Sequence, residues 1–268
     1  MPPDTPSSRR FAPLIVPILA VILLVIWLEF TPPGLLGKAD AIAYAVCHRI
    51  PSRSFFIEDR PVPLCARCTG MYLGAFVGLI YQFRKGRGGR LPQGKFLAVF
   101  GVFFLAFAID GSNSYLHFFP NAPHLYESTN LLRLVTGTGL GLGMAVVLVP
   151  TFNQTIWQDW GNTSLIGNWR EMLQLILTAA TLGILAWSQN FYFLYPLALV
   201  SSATVWMLLG MIYTIVWVLL FKRENTFTNI KQLWLPATAG LTLALMQIAI
   251  IDLARYAWSS TWGGFQLP

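Results

Sequence analysis

Charge is scarce in this chain of 268 residues. Only 11% of the residues are Asp, Glu, Lys or Arg, whereas 55% are hydrophobic. A soluble domain of this length cannot hide so much apolar surface, so the composition excludes one. It predicts an all-α, polytopic membrane helix bundle. Because no linker separates a second unit, we predict a single integral membrane domain over residues 1–268.

Cysteine and histidine are also scarce, with three residues of each: Cys47, Cys65, Cys68, His48, His117 and His124. An odd number of cysteines argues against a framework of two stable disulfides. The chain lacks a His-Glu-x-x-His helix and a Gly-x-Ser-x-Gly elbow, so common hydrolase signatures are absent. The run G-T-G-L-G-L-G at 137–143 follows no predicted strand, which excludes a dinucleotide-binding loop. Enzymatic activity stays an open question at this point.

Seven apolar runs are long enough to cross a bilayer, which takes about 20 residues in a helix. They lie at 11–29, 68–83, 96–110, 131–150, 172–188, 195–221 and 233–251. Eleven of the eighteen Lys and Arg residues fall on the side of the N-terminus, so the positive-inside rule predicts a cytoplasmic N-terminus. The same rule explains the basic stretch 84–90, and we therefore expect no nucleic-acid partner.

This orientation places every cysteine and histidine outside the cytoplasm. The loops 30–67, 111–130 and 189–194 then lie on the outer side, and 30–67 is an outer Cys/His loop. Glycines recur along two of the predicted spans, at 70, 74 and 78 in the second and at 137, 139, 141 and 143 in the fourth. Small residues at this spacing let helix backbones approach closely, so we predict that these two spans touch.

Three blocks of sequence stand near the predicted outer ends of the spans: C-H-R-I-P-S-R-S-F-F from 47, P-L-C-A-R-C-T-G-M-Y-L-G from 63 and E-S-T-N-L-L-R-L-V-T-G from 127. They closely resemble the bacterial membrane-protein family known as domain of unknown function 2085. The resemblance covers about 44–143 and leaves the last three predicted helices outside it. It implies a multi-pass protein of the bacterial inner (plasma) membrane and brings no established activity.

Cys65 and Cys68 form a C-x-x-C motif immediately before the second predicted span. Thiolates at this spacing can chelate zinc, and Cys47 with His48 would complete a tetrahedral set of four ligands. We therefore predict a zinc site formed by Cys47, His48, Cys65 and Cys68. Adjacent residues rarely bind one ion, so the fourth ligand is equally allowed to be His117, His124, Asp110 or Glu127.

Two other interpretations of the C-x-x-C motif stay open. At a helix N-terminus, unpaired amides and a cation such as Arg67 lower the pKa of a thiol. On this basis Cys65 and Cys68 would form a thiol–disulfide exchange pair, with Cys47 as a relay. The third interpretation is a structural disulfide with one spare thiol, because disulfides persist on an outer face.

Charged residues stand at the predicted mouths of the spans, where each needs a partner or a water-filled cavity: Asp110, Glu127, Arg133, Asp252 and Arg255. A shared pocket would satisfy this need. Asp110 or Glu127 would move a proton and Arg133 would neutralise an anionic group, so these three are the candidate catalytic residues. The structural alternative is an ion pair between Glu127 and Arg133, with Ser128 or Thr129 as a helix cap.

Glu127, Asn130 and Arg133 recur at i, i+3 and i+6, which spreads them along about one face of the fourth span. We expect Asn130 and Arg133 to lie beside the C-x-x-C loop, with Asp110 closing the pocket. Guanidinium groups bind phosphate or carboxylate in bidentate fashion, which makes anion binding a hypothesis for Arg49, Arg53, Arg67 and Arg133. The candidate substrate-binding residues are Arg53, Arg67 and Asn130.

These features predict an integral membrane protein with an outward-facing, zinc-type Cys/His site next to a polar pocket. The expected partners are the lipid bilayer and an anionic or lipid-linked small molecule. Alternatives are a thiol–disulfide redox protein that uses Cys65 and Cys68, a transporter, and an assembly subunit of a larger membrane complex. Few polar groups continue a path through the cytoplasmic halves of the spans, which argues against the transporter.

Overall fold

Helices form almost all of the regular structure of this protein. The computed structural model describes residues 8–119, 123 and 125–265, with side chains from Leu14 onward. In this part of the chain the α-helices are α1 (Ser8–Phe30), α2 (Gly34–Tyr44), α3 (Ala66–Lys85), α4 (Gly94–Leu116), α5 (Asn130–Ile156), α6 (Trp169–Trp187), α7 (Phe191–Leu220) and α8 (Trp234–Ser259). The predicted all-α membrane fold class is confirmed.

Short strands and two 3-10 turns complete the loops. β1 (Phe56–Ile57) pairs antiparallel with β2 (Arg60–Pro61), and β3 (Gly88–Arg90) pairs in parallel with β4 (Gly161–Ser164). The 3-10 turns are Pro51–Arg53 and Ile230–Leu233. The first of these turns and the β1–β2 hairpin shape the loop that contains Cys47.

The number of helices able to cross a membrane is lower than the predicted seven. Within the described residues, four segments are long and apolar enough: Gly94–Leu116, Asn130–Ile156, Phe191–Leu220 and Ile230–Ser259. A fifth is possible if Leu14–Phe30 and α2, which meet at a bend of 106°, form one broken span. α3 and α6 lie where the second and fifth spans were predicted. Both are less apolar than these four segments, because α3 contains several glycines, Gln82 and terminal basic residues, and α6 begins with Arg170 and Glu171.

The loops meet at the two ends of the bundle. At one end, which we call the basic end, β3 pairs with β4 and Arg87 forms an ion pair with Asp159. At the other, the cysteine end, the amide of Phe265 donates to the carbonyl of His48 at 2.9 Å. There the amide of Phe56 also donates to Gln189 Oε1 at 3.0 Å. The loops predicted to share a side therefore do so, whereas which end faces the cytoplasm stays a prediction.

Glycines hold α3 and α5 in close contact. A Cβ atom at any of four glycines would come within 3.0 Å of a backbone oxygen of the facing helix, nearer than side-chain carbons approach in proteins. The pairs are Gly70 with Leu134, Gly74 with Thr138, Gly137 with Arg67 and Gly141 with Met71. This confirms the predicted contact between the second and fourth apolar runs. It also brings the C-x-x-C end of α3 against the first turns of α5.

Candidate functional site

Three cysteines meet at the cysteine end of the bundle. Cys47 follows α2, Cys65 is the N-cap residue of α3, and Cys68 lies in the first turn of α3. All three are free thiols, and their sulfur atoms lie within 4.8 Å of one another. Cys47 and Cys65 are buried, whereas Cys68 is partly exposed. The structure therefore brings together three of the four predicted ligands, at a spacing that one metal ion could bridge.

The sulfur of Cys47 is the focus of the hydrogen bonds in this cluster. It accepts from the backbone N–H of Cys65 at 3.3 Å and of Arg49 at 3.4 Å. Hydrogen bonds from the side chains of Cys65 and Cys68 lower the pKa of Cys47 well below its usual value, although burial opposes this. The hydrogen bond to Cys47 raises the pKa of Cys65 to about 12. Cys47 is thus the thiolate that the other two thiols stabilise.

His48 is not part of the group of three sulfur atoms. Its Nδ1 accepts a hydrogen bond from the backbone N–H of Ile50 at 3.3 Å, so the neutral ring carries its proton on Nε2 and offers no free lone pair there. Burial lowers the pKa of His48, and the positive charges of Arg53, Arg67 and Arg133 lower it further, whereas Cys47 opposes them. In this conformation the hydrogen-bond partner of the His48 ring is the amide of Ile50, and the ring is within electrostatic reach of Cys47 and the three arginines.

Asp110 is almost fully buried near the C-terminal end of α4 and has a complete set of partners. It forms an ion pair with Arg67, one of the two residues between Cys65 and Cys68. Asp110 Oδ1 accepts from Ser128 Oγ at 2.7 Å and from the hydroxyl of Tyr126 at 3.2 Å. This network joins the C-x-x-C segment to α4 and to the loop before α5.

Arg133 and Arg53 extend the polar cluster. Arg133 donates to Asn130 Oδ1 at 2.9 Å and to Ser114 Oγ at 3.2 Å, and Arg53 donates to the backbone oxygen of Ser114 at 2.9 Å. Burial and the charges of Arg133 and Arg67 lower the pKa of Arg53 to about 10. The buried Nε–H groups of Arg67 and Arg133 have no acceptor. The cluster thus contains three guanidinium groups and one buried carboxylate, which Arg67 alone of these three described arginines binds, so the cluster is positively charged.

Glu127 lies outside this buried cluster. Its side chain is 83% exposed, and one carboxylate oxygen is 3.5 Å from His117 Nε2. Its predicted place beside Arg133 is taken by Asn130. Of the two predicted helix caps, Thr129 caps α5, because its side chain accepts a hydrogen bond from the amide of Leu132. Ser128 is not the cap and instead donates to Asp110. His124 lies outside the described residues.

Two other predicted charges serve the loop of Cys47 in different ways. Arg49 binds Asp40 at 2.7 Å and the backbone oxygen of Trp262 at 2.7 Å, so it supports the loop and does not join the arginine cluster. Arg255 donates to the carbonyl of Cys47 at 2.7 Å and stacks on Tyr44. The last helix therefore reaches the thiol site through Arg255, whereas Asp252 does not.

The sequence reasoning missed two of the residues that bind the charged groups, Ser114 and Tyr126, and it gave Ser128 a different role, as a helix cap. Ser114 follows Asp110 by four residues and so lies on the same face of α4, a spacing that would have shown it. The Tyr126 hydroxyl carries no comparable local signal, because it reaches Asp110 from a loop.

Comparison with known proteins identifies the family. Residues 47–147 match the model of the family described as predicted membrane protein DUF2085. An uncharacterised protein of Methanocaldococcus jannaschii is 32% identical over 122 residues, which are 45% of this chain and 72% of the relative. One of Methanothermobacter thermautotrophicus is 35% identical over 102 residues, which are 38% of this chain and 83% of the relative. The chain belongs to the DUF2085 family.

Both relatives are archaeal, so the comparisons support the predicted family but neither a bacterial origin nor a bacterial inner membrane. No solved structure matches the chain. The matched segment contains all three cysteines together with Arg53, Arg67, Asp110 and Arg133. It ends within α5, so α6, α7 and α8 lie outside it.

Proposed function

We propose that this membrane protein holds a zinc-type metal ion with the sulfur atoms of Cys47, Cys65 and Cys68 and binds an anionic group beside it. The observation that carries the proposal is the convergence of three free thiols within 4.8 Å at the start of α3. Two backbone N–H groups donate to Cys47 Sγ, which stabilises the thiolate form that a metal requires.

Three protein ligands leave one position of a tetrahedral zinc ion for a water molecule or a substrate atom. Two of the other predicted ligands have other partners: Asp110 binds Arg67 and Ser128, and His48 accepts from Ile50. A zinc ion with an open position activates a bound water or polarises a substrate. This arrangement favours a reactive metal site over a closed structural one.

The arginine cluster supplies the anion-binding part of the proposal. Arg53, Arg67 and Arg133 bring three positive charges against the single carboxylate of Asp110, and two of them have a buried N–H without an acceptor. Asn130 orients Arg133. A phosphate or carboxylate would satisfy these donors and balance the charge. The pocket lies at one end of a membrane bundle, where the headgroup of a lipid-linked substrate would be within reach.

Catalytic roles differ among the three predicted residues. Asp110 is bound to Arg67, so the role we propose for it is to hold that arginine in place. Arg133 is placed to neutralise the anion. Glu127 is exposed beside His117, so the role we propose for it is proton exchange with solvent.

Cysteine variants test the metal centre. Cys47→Ser, Cys65→Ser and Cys68→Ser should each remove zinc from the purified protein and lower its thermal unfolding midpoint, because a ligand set contributes folding free energy. His48→Ala should retain zinc, since the ring binds Ile50 instead. Full zinc occupancy in the Cys65→Ser, Cys68→Ser double variant would overturn the ligand assignment.

A thiol–disulfide role for Cys65 and Cys68 is the competing function that the same three free thiols allow. A count of free thiols in the denatured wild-type protein separates the two. Three free thiols with bound zinc support the metal centre, whereas two oxidised cysteines without metal support the redox pair.

Arginine variants test the anion pocket. Dihexanoyl phosphatidate, a short lipid with a phosphate headgroup, should bind the zinc-loaded protein in titration calorimetry. Arg53→Ala and Arg133→Ala should each weaken binding at least tenfold and leave zinc in place. Arg90→Ala, at the exposed basic end, is the matched control and should bind normally. Equal binding by all four proteins would exclude this pocket.

A further inference from the structure

Asp252 is a second buried carboxylate, and its partners are incomplete. The residue lies in α8 and is 3% exposed. Trp27 Nε1 donates to Oδ2 at 3.4 Å, a long hydrogen bond, and Oδ1 is buried without any partner. A carboxylate at this depth is unfavourable unless a cation or a full set of donors compensates it. The structure therefore holds a buried carboxyl group with one unsatisfied oxygen between α1 and α8.

The nearby cations are engaged elsewhere. Arg255, one turn further along α8, donates to the backbone oxygens of Tyr44 and Cys47. Lys38 donates its ammonium hydrogens to Leu28 O, Thr31 O and Thr31 Oγ1. Among the described residues, no Lys, Arg or His forms an ion pair with Asp252. An ionised Asp252 would therefore take its counter-charge from a ligand.

A cavity of about 550 Å³ lies directly against Asp252, between α1 and α8. Its walls are mainly apolar and aromatic, and include Leu23, Trp27, Phe30 and Trp262. Phe30 is 79% exposed, so the cavity opens at the outer surface of α1, among side chains suited to lipid. Pockets for small molecules have volumes of about 300–1,000 Å³, and this one falls in that range.

The lining decides the chemical class of the ligand. The carboxylate excludes an anion. A metal ion such as Ca²⁺ needs about six to eight oxygen ligands, and the lining offers oxygen-bearing side chains only from Asp252, Thr31 and Tyr256. An ammonium group can pair with the carboxylate and lie against aromatic rings, and an attached hydrocarbon chain would fill the apolar remainder.

We propose that the cavity between α1 and α8 binds a protonated amine carried on a hydrocarbon chain, with the ammonium group on Asp252. The amine could be the headgroup of a lipid or a free amphiphile, because both present the same chemistry. The lining of this cavity contains none of the three cysteines and none of Arg53, Arg67 and Arg133. It lies outside the segment 47–147 that defines the family, because neither α1 nor α8 falls within that segment.

The test is titration calorimetry of octylammonium chloride into the full-length protein in a non-ionic detergent. Saturable binding at one site is expected, and Asp252→Asn should weaken it at least tenfold. This variant keeps the shape of the side chain and removes a buried charge, and a thermal unfolding scan verifies that it folds. Asp159→Asn, an exposed carboxylate at the basic end, is the matched control and should bind as the wild type does.

Octanol and sodium octanoate serve as probes that share the chain but not the charge, and neither should bind at this site. Octanol binding as tightly as octylammonium, or Asp252→Asn leaving octylammonium binding unchanged, would overturn the proposal. Native mass spectrometry then identifies the source of the amine in membranes that hold equal amounts of phosphatidylethanolamine and phosphatidylglycerol. Selective retention of phosphatidylethanolamine by the wild type, and its loss in Asp252→Asn, assigns a lipid headgroup.

Discussion

Asp110 and Asp252 are the same residue type at almost the same depth, 1% and 3% exposed, in very different surroundings. Asp110 has an arginine and two hydroxyl donors, whereas Asp252 has one long hydrogen bond and an oxygen without a partner. The helix contacts around them differ in the same way. Glycines press α3 onto α5 beside the first carboxylate, and a cavity of about 550 Å³ lies between parts of α1 and α8 beside the second.

This difference shows what a buried charge does in each place. The network of Asp110 is closed and holds Arg67 next to the thiols, so its main effect is to position residues of the site. Asp252 has an oxygen without a partner and lines a cavity, so its carboxyl group is available to a ligand. Only Asp110 lies in the family segment 47–147. This fits a family core that contains the thiol and arginine site, whereas the Asp252 cavity is formed by helices outside that core.

The largest effect is expected from Asp110→Ala. Removing one partner of a buried ion pair leaves Arg67 uncompensated and should lower the free energy of unfolding by about 3–5 kcal/mol. Asp159→Ala breaks the exposed pair with Arg87 and should cost less than about 1 kcal/mol. Thermal or denaturant unfolding in detergent measures both. Equal losses in the two variants would mean that the Asp110 network does not hold the site together.

A smaller effect is expected where the helices touch. In Gly141→Ala the new methyl group would lie within 3.0 Å of Met71 O, which should cost about 2–3 kcal/mol as α3 and α5 separate. Gly143→Ala is the matched control two residues away, because its methyl group would meet Phe100 Cβ at an ordinary 3.6 Å. We expect little change there. If both variants unfold alike, the close α3–α5 contact is not what stabilises the bundle.

The smallest effect, and the only gain, is expected from Asp252→Asn. Replacing an uncompensated buried charge with a neutral group of the same shape should leave stability unchanged or raise it by about 1 kcal/mol without added amine. Octylammonium should raise the unfolding midpoint of the wild type and not of the variant. A variant that unfolds several degrees lower without ligand would show that Asp252 has a structural partner.

The sequence predicts the parts of this structure that follow from local patterns. Glycine spacing predicts the α3–α5 contact, and the C-x-x-C motif with Cys47 predicts a thiol cluster. The span count was wrong, because α3 is helical at the predicted place but is more polar than a spanning helix and largely buried among its neighbours. Glu127 was expected in the pocket from its spacing to Arg133, but it precedes the first residue of α5, so helical periodicity does not govern its direction.

The Asp252 cavity could not be predicted, since it depends on how residues far apart in the chain pack. Trp27 and Asp252 are 225 residues apart, and no motif links them. The same holds for Tyr126, whose hydroxyl reaches Asp110 from an irregular loop. Patterns within one helix indicate which face is buried, but they do not show whether that face meets a neighbour closely or across a cavity.

Zinc K-edge X-ray absorption on the purified wild-type protein tests the central claim most directly. Three thiolates and one open position predict a first shell of three sulfur atoms at about 2.3 Å and one lighter donor from water or substrate. A protein that holds no zinc and contains an oxidised pair of cysteines, or a zinc shell without sulfur, would contradict the account of Cys47, Cys65 and Cys68 as a metal centre.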